Sequence, residues 1–255
     1  MAHLSEVATW LRDARRTVVL TGAGISTDSG IPDFRGPQGV WTRDPAAEAR
    51  ADIRNYVRDP ALRREAWQMR ATHPALGARP SAGHLALARL EAAGRLDTLI
   101  TQNIDGLHLD AGSSAERTVE IHGTAREFAC LDCGARGPMS DALARVRGGD
   151  LDPACQACGG MLKSATISFG QSLDPALLRR AVEAALAADL FVAIGTSLTV
   201  HPVADLPVRA LARGARLVII NAQPTPLDGR AHAVLTGQIG DLLPDLVERA
   251  VSPRR

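Results

Sequence analysis

The chain has 255 residues, a formal net charge of +1 and an ordinary apolar fraction of 45%. This length suits one or two domains with a sizeable core, and the near-zero charge gives no overall field to attract nucleic acid or an anionic membrane. No apolar run approaches the ~20 residues that a membrane-spanning helix needs, and Met1 to Arg16 lack the apolar core of a signal peptide. We therefore expect a cytoplasmic protein that requires neither nucleic acid nor a membrane.

The first predicted strand, residues 18–20, runs directly into a glycine-rich segment that extends to Arg35. Gly22 and Gly24 lack a Cβ, so they let the backbone approach a pyrophosphate after a strand. We expect a helix to begin here and to direct its N–H groups and positive dipole end at the anion. A glycine pair alone also fits a simple turn. The next glycine is Gly30, so the segment departs from the G-x-G-x-x-G fingerprint of dehydrogenases.

Further short apolar or β-branched runs predict strands, and helix signals lie between several of them. The other predicted strands cover residues 98–101, 118–121, 190–194, 217–220 and 233–235. Predicted helices begin after Ser81, after Asp174 and at Pro202, and end near residues 93, 188 and 213. Strands that alternate with helices indicate an α/β fold with a doubly wound, parallel, Rossmann-like sheet.

Two segments interrupt this alternation of strands and helices. Residues 42–79 are charged and helical in composition, and residues 126–163 are rich in glycine and hold all four cysteines. We predict that the two insertions form a smaller domain over the carboxyl edge of the sheet. The Rossmann-like domain would then comprise residues 1–41, 80–125 and 164–255.

The four cysteines form two C-x2-C pairs, Cys130 with Cys133 and Cys155 with Cys158. This spacing is typical of a zinc ribbon, in which four thiolates hold one tetrahedral Zn²⁺. Free buried thiols or a redox pair are the alternatives, but two matched pairs with no cysteine left over favour zinc. Such a closed site leaves no coordination position for substrate, so the metal would be structural. The intervening segment has no interleaved aromatic residues, which disfavours a nucleic-acid-binding ribbon.

Polar clusters follow four of the predicted strands. They contain Asn103 and Asp105, His122, Ser197, and Asn221. Each cluster alone could be a turn, and a lone histidine is more often structural. Because the carboxyl ends of parallel strands meet at one edge, four clusters together predict a binding site. His122 is the side chain there that is suited to accept a proton near neutral pH, and we expect the neighbouring glycine to keep its surroundings open.

Taken together, these motifs resemble those of the sirtuins, the NAD-consuming protein-lysine deacylases, of the bacterial type. The similarity rests on GAGISTDSGIPDFR, QNIDGLH, EIHGT, the paired C-x2-C, the Phe169-Gly170 step, GTSLTVHP and IIN. It spans about residues 17 to 245, which is nearly the whole chain.

The resemblance implies a set of roles for individual residues. NAD would be the co-substrate, an acyl-lysine protein or peptide the substrate, and one structural Zn²⁺ the metal. His122 would be the general base, Asn103 and Asp105 would organise the ribose and carboxamide, and Phe34 would shield the site from water. The implied cofactor contacts are Gly22, Ala23, Gly24, Asp33, Phe34, Arg35, Gln102, Asn103, Asp105, Gly195, Thr196, Ser197, Asn221, Gln223 and Ile239.

The chain departs from the sirtuin pattern at a few positions. Gln171 and Gln223 stand where many members have a glutamate. In members that remove malonyl or succinyl groups, a tyrosine and an arginine three residues later bind the acyl carboxylate; the nearest match is Trp67 with Arg70. We expect Arg70 to be a solvated surface residue. We also expect an uncharged acyl group to be removed faster than succinyl, because burying the succinyl carboxylate is costly and Trp67 supplies no hydroxyl to help Arg70 bind it.

Three other functions compete with deacylation. Mono-ADP-ribosyl transfer to a protein would use NAD with less dependence on His122. A non-catalytic NAD-binding or zinc-ribbon module is disfavoured by the combination of His122 with Asn103 and Asp105. A dehydrogenase is disfavoured because the glycine-rich segment departs from the dehydrogenase fingerprint.

Overall fold

The computed structural model describes residues 4–44, 46–72 and 77–252. Its larger sheet has six strands, which pair in the order β3-β2-β1-β7-β8-β9, and every pair is parallel. The six strands are β1 Thr17–Thr21, β2 Thr98–Thr101, β3 Thr118–Glu120, β7 Leu190–Ile194, β8 Arg216–Ile220 and β9 Ala233–Leu235. If the six strands are renumbered along the chain within this sheet, their spatial order is 3-2-1-4-5-6, which is the order found in dinucleotide-binding Rossmann folds. The predicted α/β class and all six predicted strands are therefore confirmed.

Helices cover both faces of this sheet, and the strands are buried on both sides. On one face, α1, α6 and α11 pack against strand residues such as Val19 and Val192. On the other face, α9 and α10 pack against residues such as Val18 and Phe191. Neighbouring strand residues thus point to opposite faces, which explains why these strands are continuously apolar. These helices are α1 Leu4–Asp13, α6 Ala82–Ala92, α9 Pro175–Ala187, α10 Leu206–Ala212 and α11 Ile239–Val251, and the short α7 Leu107–Asp110 follows β2.

Helix caps explain where α6 and α9 begin. The Ser81 side chain accepts a hydrogen bond from the backbone N–H of His84, and the His84 side chain accepts one from the Ser81 N–H. Asp174 accepts bonds from the first two N–H groups after Pro175. Both predicted starts are confirmed. The helix predicted from Pro202 begins instead at Leu206, after a 3₁₀ turn at Val203–Asp205.

A second, antiparallel sheet lies outside the parallel one. Its strands are β4 Gly123–Cys130, β5 Arg136–Pro138 and β6 Leu162–Thr166, in the order β5-β4-β6. It packs with α8 Met139–Arg147 and α5 Pro60–Ala71 around the fully buried Trp67. The remaining helices are α2 Val40–Arg43, α3 Ala46–Arg50 and α4 Ile53–Arg58. The described part of the 42–79 insertion is thus helical, as expected, while the domain boundaries stay a prediction.

The glycine-rich segment after β1 differs from the sequence-based expectation. No α-helix starts there; the chain makes two 3₁₀ turns, Ala23–Ile25 and Thr27–Ser29. The segment combines glycines and prolines with residues whose side chains compete for backbone hydrogen bonds, all of which disfavour a helix. The predicted helix dipole is therefore absent from this position. None of the described helices is long and apolar enough to cross a bilayer.

Candidate active site

The switch point of the parallel sheet lies between β1 and β7, because β1 pairs with β2 on one side and with β7 on the other. A Cβ on Gly22 would lie 2.7 Å from the Gly195 carbonyl oxygen, and one on Gly24 would lie 2.7 Å from the Gly195 Cα. Gly195 has φ +60°, and the Gly24 N–H donates to its carbonyl oxygen at 2.9 Å. The glycines thus allow two loops to touch. The expected approach to a pyrophosphate stays a prediction beside this contact.

A cleft with a volume of about 1880 Å³ reaches from the switch point of the parallel sheet to the antiparallel sheet. Every residue that the sequence nominated for catalysis or cofactor binding lines it. They are Gly22, Ala23, Gly24, Asp33, Phe34, Arg35, Gln102, Asn103, Asp105, His122, Gly195, Thr196, Ser197, Asn221, Gln223 and Ile239. The cysteines lie elsewhere.

Asn103 and Asp105 are joined through Ser26. The Asn103 amide donates to the Gly22 carbonyl oxygen and to Ser26 Oγ, both at 3.1 Å. Ser26 Oγ donates to Asp105 Oδ2 at 2.7 Å, and Asp105 Oδ1 accepts from the Leu107 N–H at 2.9 Å. Neither polar group is free to rotate, so the loop after β2 presents them in one fixed arrangement.

The buried His84 lies beside Ser26, the residue that joins Asn103 and Asp105. His84 Nδ1 accepts from the Ser81 N–H at 3.1 Å, so Nε2 carries the proton in the neutral ring and faces Ser26 Oγ at 3.5 Å. Burial lowers the pKa of His84, which keeps the ring neutral. Sequence reasoning missed Ser26 and His84, because their contacts join distant parts of the chain and give no local pattern.

His122 follows β3 and borders the cleft. Its Nδ1 lies 3.1 Å from the Gln102 carbonyl oxygen, which can only accept, so Nδ1 carries the proton in the neutral ring. Nε2 is then the basic atom. Burial lowers the His122 pKa below the usual histidine value, and the bond to Gln102 opposes this only in part. The geometry is therefore that of a neutral base at neutral pH.

Gly123 positions His122 by a route that the sequence did not suggest. Its φ is +75°, and a Cβ there would lie 2.1 Å from the Ala165 carbonyl oxygen on β6. The Ile167 N–H then donates to the His122 carbonyl oxygen at 2.8 Å. Gly123 therefore permits close contact between strands, and the open space that the sequence predicts beside the histidine is filled by β6.

Polar side chains also border the cleft beside β7 and β8. The Gln102 amide donates to Thr196 Oγ1 at 2.9 Å, which connects the loops after β2 and β7. Ser197 Oγ lies 2.8 Å from Thr199 Oγ1, and the Asn221 amide donates to the Gln223 carbonyl oxygen at 2.7 Å. The Gln223 side chain is exposed. This end of the cleft can hold a polar ligand with neutral hydrogen-bonding groups.

An aromatic cluster borders the cleft near α2. The Trp41 ring lies 4.8 Å from the Phe34 ring and 5.5 Å from the Phe169 ring, between centroids. The Arg35 guanidinium lies over Trp41 at 4.4 Å. Phe34 is 44% exposed in this structure, so it can close over a ligand only if it moves. The sequence did not indicate Trp41 as part of the site.

The four cysteines form a compact thiol cluster. Their Sγ atoms all lie within 4.8 Å of one another, at 3.6 Å for Cys130 and Cys158 and 3.8 Å for Cys133 and Cys155. Tetrahedral Zn–S bonds of about 2.3 Å would place the sulfurs about 3.8 Å apart, so the donor set fits zinc. Each pair turns through a glycine of φ near +75°, Gly134 or Gly159, whose N–H bonds back to the first cysteine.

Arg70 is not the solvated surface residue that the sequence suggested. It borders the cleft, and its Nη1 is shielded from solvent without a hydrogen-bond partner among the described residues. Burial lowers its pKa, with no opposing carboxylate. Trp67 does not border the cleft; it packs in the core of the smaller unit.

Lys163, the only lysine of the chain, lies close enough to Arg70 for their charges to repel. It is 1% exposed, and burial together with the Arg70 charge lowers its pKa to about 7. Its Nζ donates to the carbonyl oxygens of Ser164 and Thr166 at 3.1 Å and 2.6 Å. Neither Arg70 nor Lys163 has an acidic partner among the described residues.

The fold and this cleft define a nucleotide-binding α/β protein with an attached four-cysteine module. Comparison with known proteins gives the family. The Sir2 family profile matches residues 22–202, so the chain belongs to the Sir2 family, and the sequence-based resemblance is confirmed.

Individual relatives agree over nearly the full length. The chain is 52% identical over 229 residues to NAD-dependent protein deacetylase 2 of Streptomyces coelicolor, covering 90% of this chain and 95% of that protein. It superimposes with a TM-score of 0.89 on a Sir2 variant with a deacetylated p53 peptide and 3′-O-acetyl ADP ribose, at 33% identity and with coverage of 98% and 99%. It superimposes with a TM-score of 0.86 on Sir2 with a p53 peptide and NAD, at 34% identity and with coverage of 97% and 98%.

Proposed function

We propose that this chain is an NAD-dependent protein-lysine deacylase. The observation that carries the proposal is the environment of His122, which lies in the same cleft as Asn103 and Asp105. The Gln102 carbonyl oxygen holds its Nδ1, and its Nε2 has no hydrogen-bond partner among the described residues. The glycine contacts at the switch point make a cleft of the kind that dinucleotides occupy in this fold. The relatives named as NAD-dependent deacetylases support the same activity.

In this proposal NAD supplies the ribose carbon that accepts the acyl oxygen when nicotinamide departs. Asn103 and Asp105 orient the ribose and the carboxamide, because Ser26 holds both side chains in place. His122 accepts a ribose hydroxyl proton at Nε2, which lets the sugar take over the acyl group. Phe34 and its aromatic neighbours would exclude water while the nicotinamide bond breaks. One water molecule is consumed afterwards, because it supplies the carbonyl oxygen of the transferred acyl group when the lysine amine leaves. The products are the free lysine, nicotinamide and O-acyl-ADP-ribose.

The four cysteines would hold one Zn²⁺ in a structural role in this proposal. All four thiolates are used as ligands, so the metal has no open position for water or substrate. The thiol cluster lies outside the cleft. Its contribution would be to hold the antiparallel sheet together, and no catalytic step involves it.

The test is to incubate the protein with NAD and an acetyl-lysine peptide and to record the products by mass. Deacylation gives deacetylated peptide and free O-acetyl-ADP-ribose in equal amounts, and no product without NAD. His122→Ala should lower turnover roughly 10²–10⁴-fold while the protein stays folded. A mass increase of the protein acceptor by one ADP-ribosyl group, with the acetyl group retained, would instead indicate mono-ADP-ribosyl transfer.

A further inference from the structure

The loop after β2, residues 102–106, is attached by three hydrogen bonds to His122 and to the start of β4. The Gln102 carbonyl oxygen accepts from His122 Nδ1 at 3.1 Å, and the Ile104 carbonyl oxygen accepts from the Ala125 N–H at 2.8 Å. The Asp105 carbonyl oxygen accepts from Arg126 Nε at 3.2 Å. The donors of the first two bonds are the ring of His122 and the backbone N–H of Ala125. The third depends on the side chain of a residue outside every motif that the sequence analysis singled out.

The guanidinium of Arg126 has a second contact on the far side of the same loop. Its Nη1 donates to Asp110 Oδ1 at 2.9 Å, and its Nη2 donates to Asp110 Oδ2. This fork-to-fork pairing fixes the plane of the guanidinium. The Arg126 side chain therefore spans from the backbone of Asp105 to α7, with the turn between them enclosed.

Gly106 makes room for this arrangement. Its φ is +73°, and a Cβ there would lie 2.1 Å from Arg126 Nε. The absence of a side chain is what allows the guanidinium to lie directly over the loop. Two features distant in sequence, the glycine and the arginine, thus serve one contact.

Global stability does not explain this contact. The side chains of Arg126 and Asp110 are 46% and 40% exposed, and exposed ion pairs contribute little to stability. The neighbouring pair of Arg136 and Glu127 on the same antiparallel sheet has nearly the same exposure, 54% and 45%, but lies outside the cleft. The difference between the two pairs is that Arg126 holds the segment that carries Asn103 and Asp105.

We infer that Arg126, clamped by Asp110, is a positioning residue that sets the loop of Asn103 and Asp105 in register with His122. This inference rests on the proposed function. Loss of the clamp frees the Asp105 carbonyl oxygen and lets the loop shift away from β4. The residues that orient NAD then move relative to the base, whereas residues elsewhere in the cleft keep their places.

The test uses Arg126→Met, Asp110→Asn, the double variant, and Arg136→Met as the matched control. With NAD as the varied substrate, kcat/KM should fall roughly 10- to 100-fold in Arg126→Met, because small misplacements of reacting groups are costly. Asp110→Asn should move the same parameter in the same direction, and the double variant should be no worse than Arg126→Met. KM for the acetyl-lysine peptide should change less than about twofold in every variant, as should all parameters of Arg136→Met.

Arg126→Lys separates positioning from charge, since an ammonium can pair with Asp110 but lacks the fork that also reaches Asp105. It should remain impaired. The inference is overturned if the wild type deacylates and Arg126→Met stays within twofold of it, or if Arg126→Lys restores full activity. If the wild type shows no NAD-dependent deacylation, the proposed function fails. Calorimetric NAD affinity then decides the inference, which predicts weaker binding in Arg126→Met than in Arg136→Met.

Discussion

At the scale of single residues, the His122 environment sets when the base can work. Burial depresses its pKa, and the Gln102 carbonyl oxygen fixes the proton on Nδ1. Nε2 should therefore stay unprotonated through neutral pH and take up a proton only at a pH below the ordinary histidine value of about 6.5.

We expect kcat/KM for NAD to be flat near pH 7 and to fall on the acid side with an apparent pKa below that ordinary value. A pH–rate profile on an acetyl-lysine peptide measures this directly. His122→Ala should remove the acid limb from whatever activity remains. An acid limb centred above pH 7 in the wild type would contradict the assignment of a depressed pKa to the base.

Arg70 offers a test of acyl selectivity, because it borders the cleft and lacks an acidic partner among the described residues. The expected solvent exposure of Arg70 is wrong. The expected preference for uncharged acyl groups stays a prediction, since it rests on the lack of a hydroxyl donor at Trp67. Arg70→Met should lower kcat/KM for a succinyl-lysine peptide about 10- to 100-fold more than for the acetyl peptide, since a charge-assisted hydrogen bond is worth about 1.5–3 kcal/mol. Arg64→Met, on an exposed arginine of α5, is the control. Equal losses on both peptides would show that Arg70 does not contact the acyl group.

The sequence located the residues of the cleft well, because each follows a strand that ends at the same edge of the sheet. It could not locate the residues that hold them. Ser26, His84 and Arg126 act through partners that lie 16 to 79 positions away along the chain. No local spacing encodes such contacts.

At the scale of elements, the strands were predictable because runs such as Val18–Val19–Leu20 are β-branched or apolar and buried on both faces. The segment after β1 was predicted less well. A strand followed by a glycine pair predicts a helix in the usual dinucleotide fold, but this chain continues through Gly30 and Pro32 and forms only 3₁₀ turns. The loops after β1 and β7 instead support each other directly.

Gly195 tests the contact between those loops. A Cβ there would lie 2.7 Å from the Ile25 backbone nitrogen at φ +60°. Gly195→Ala should destabilise the protein by about 1–3 kcal/mol from overpacking, in addition to about 1–2 kcal/mol for the left-handed backbone. Gly214→Ala is a matched control, because Gly214 has φ +88° and no atom near its Cβ position. Urea unfolding should show a clearly larger loss for Gly195→Ala; equal losses would mean that only the backbone conformation matters.

At the scale of the whole molecule, the topology followed from the alternation of strands and helices, whereas the antiparallel sheet did not. Its strand β5 has only three residues and lies close to the thiol cluster. Short strands beside glycine turns carry little periodic signal. The C-x2-C spacing predicted the thiol cluster itself, since the two turns have the same local geometry.

Zinc should hold this second sheet in place. We expect one zinc per chain by metal analysis, and an unfolding transition that shifts to lower temperature after strong chelation, because structural zinc in small modules is worth about 10–16 kcal/mol. Cys133→Ser and Cys155→Ser should both have this effect, although the first thiol is exposed and the second is buried. If only Cys155→Ser lowered the unfolding temperature, packing of the buried thiol and not metal binding would explain the cluster.

The burial of Lys163 has a consequence for chemical labelling of the protein. With no other lysine in the sequence, the folded chain offers amine-reactive esters no exposed lysine amine, while unfolding adds one reactive site. The mass increase after labelling therefore reports the fractions of folded and unfolded molecules. By the same reasoning, acyl donors that modify exposed lysines on other proteins find none on the folded surface of this one.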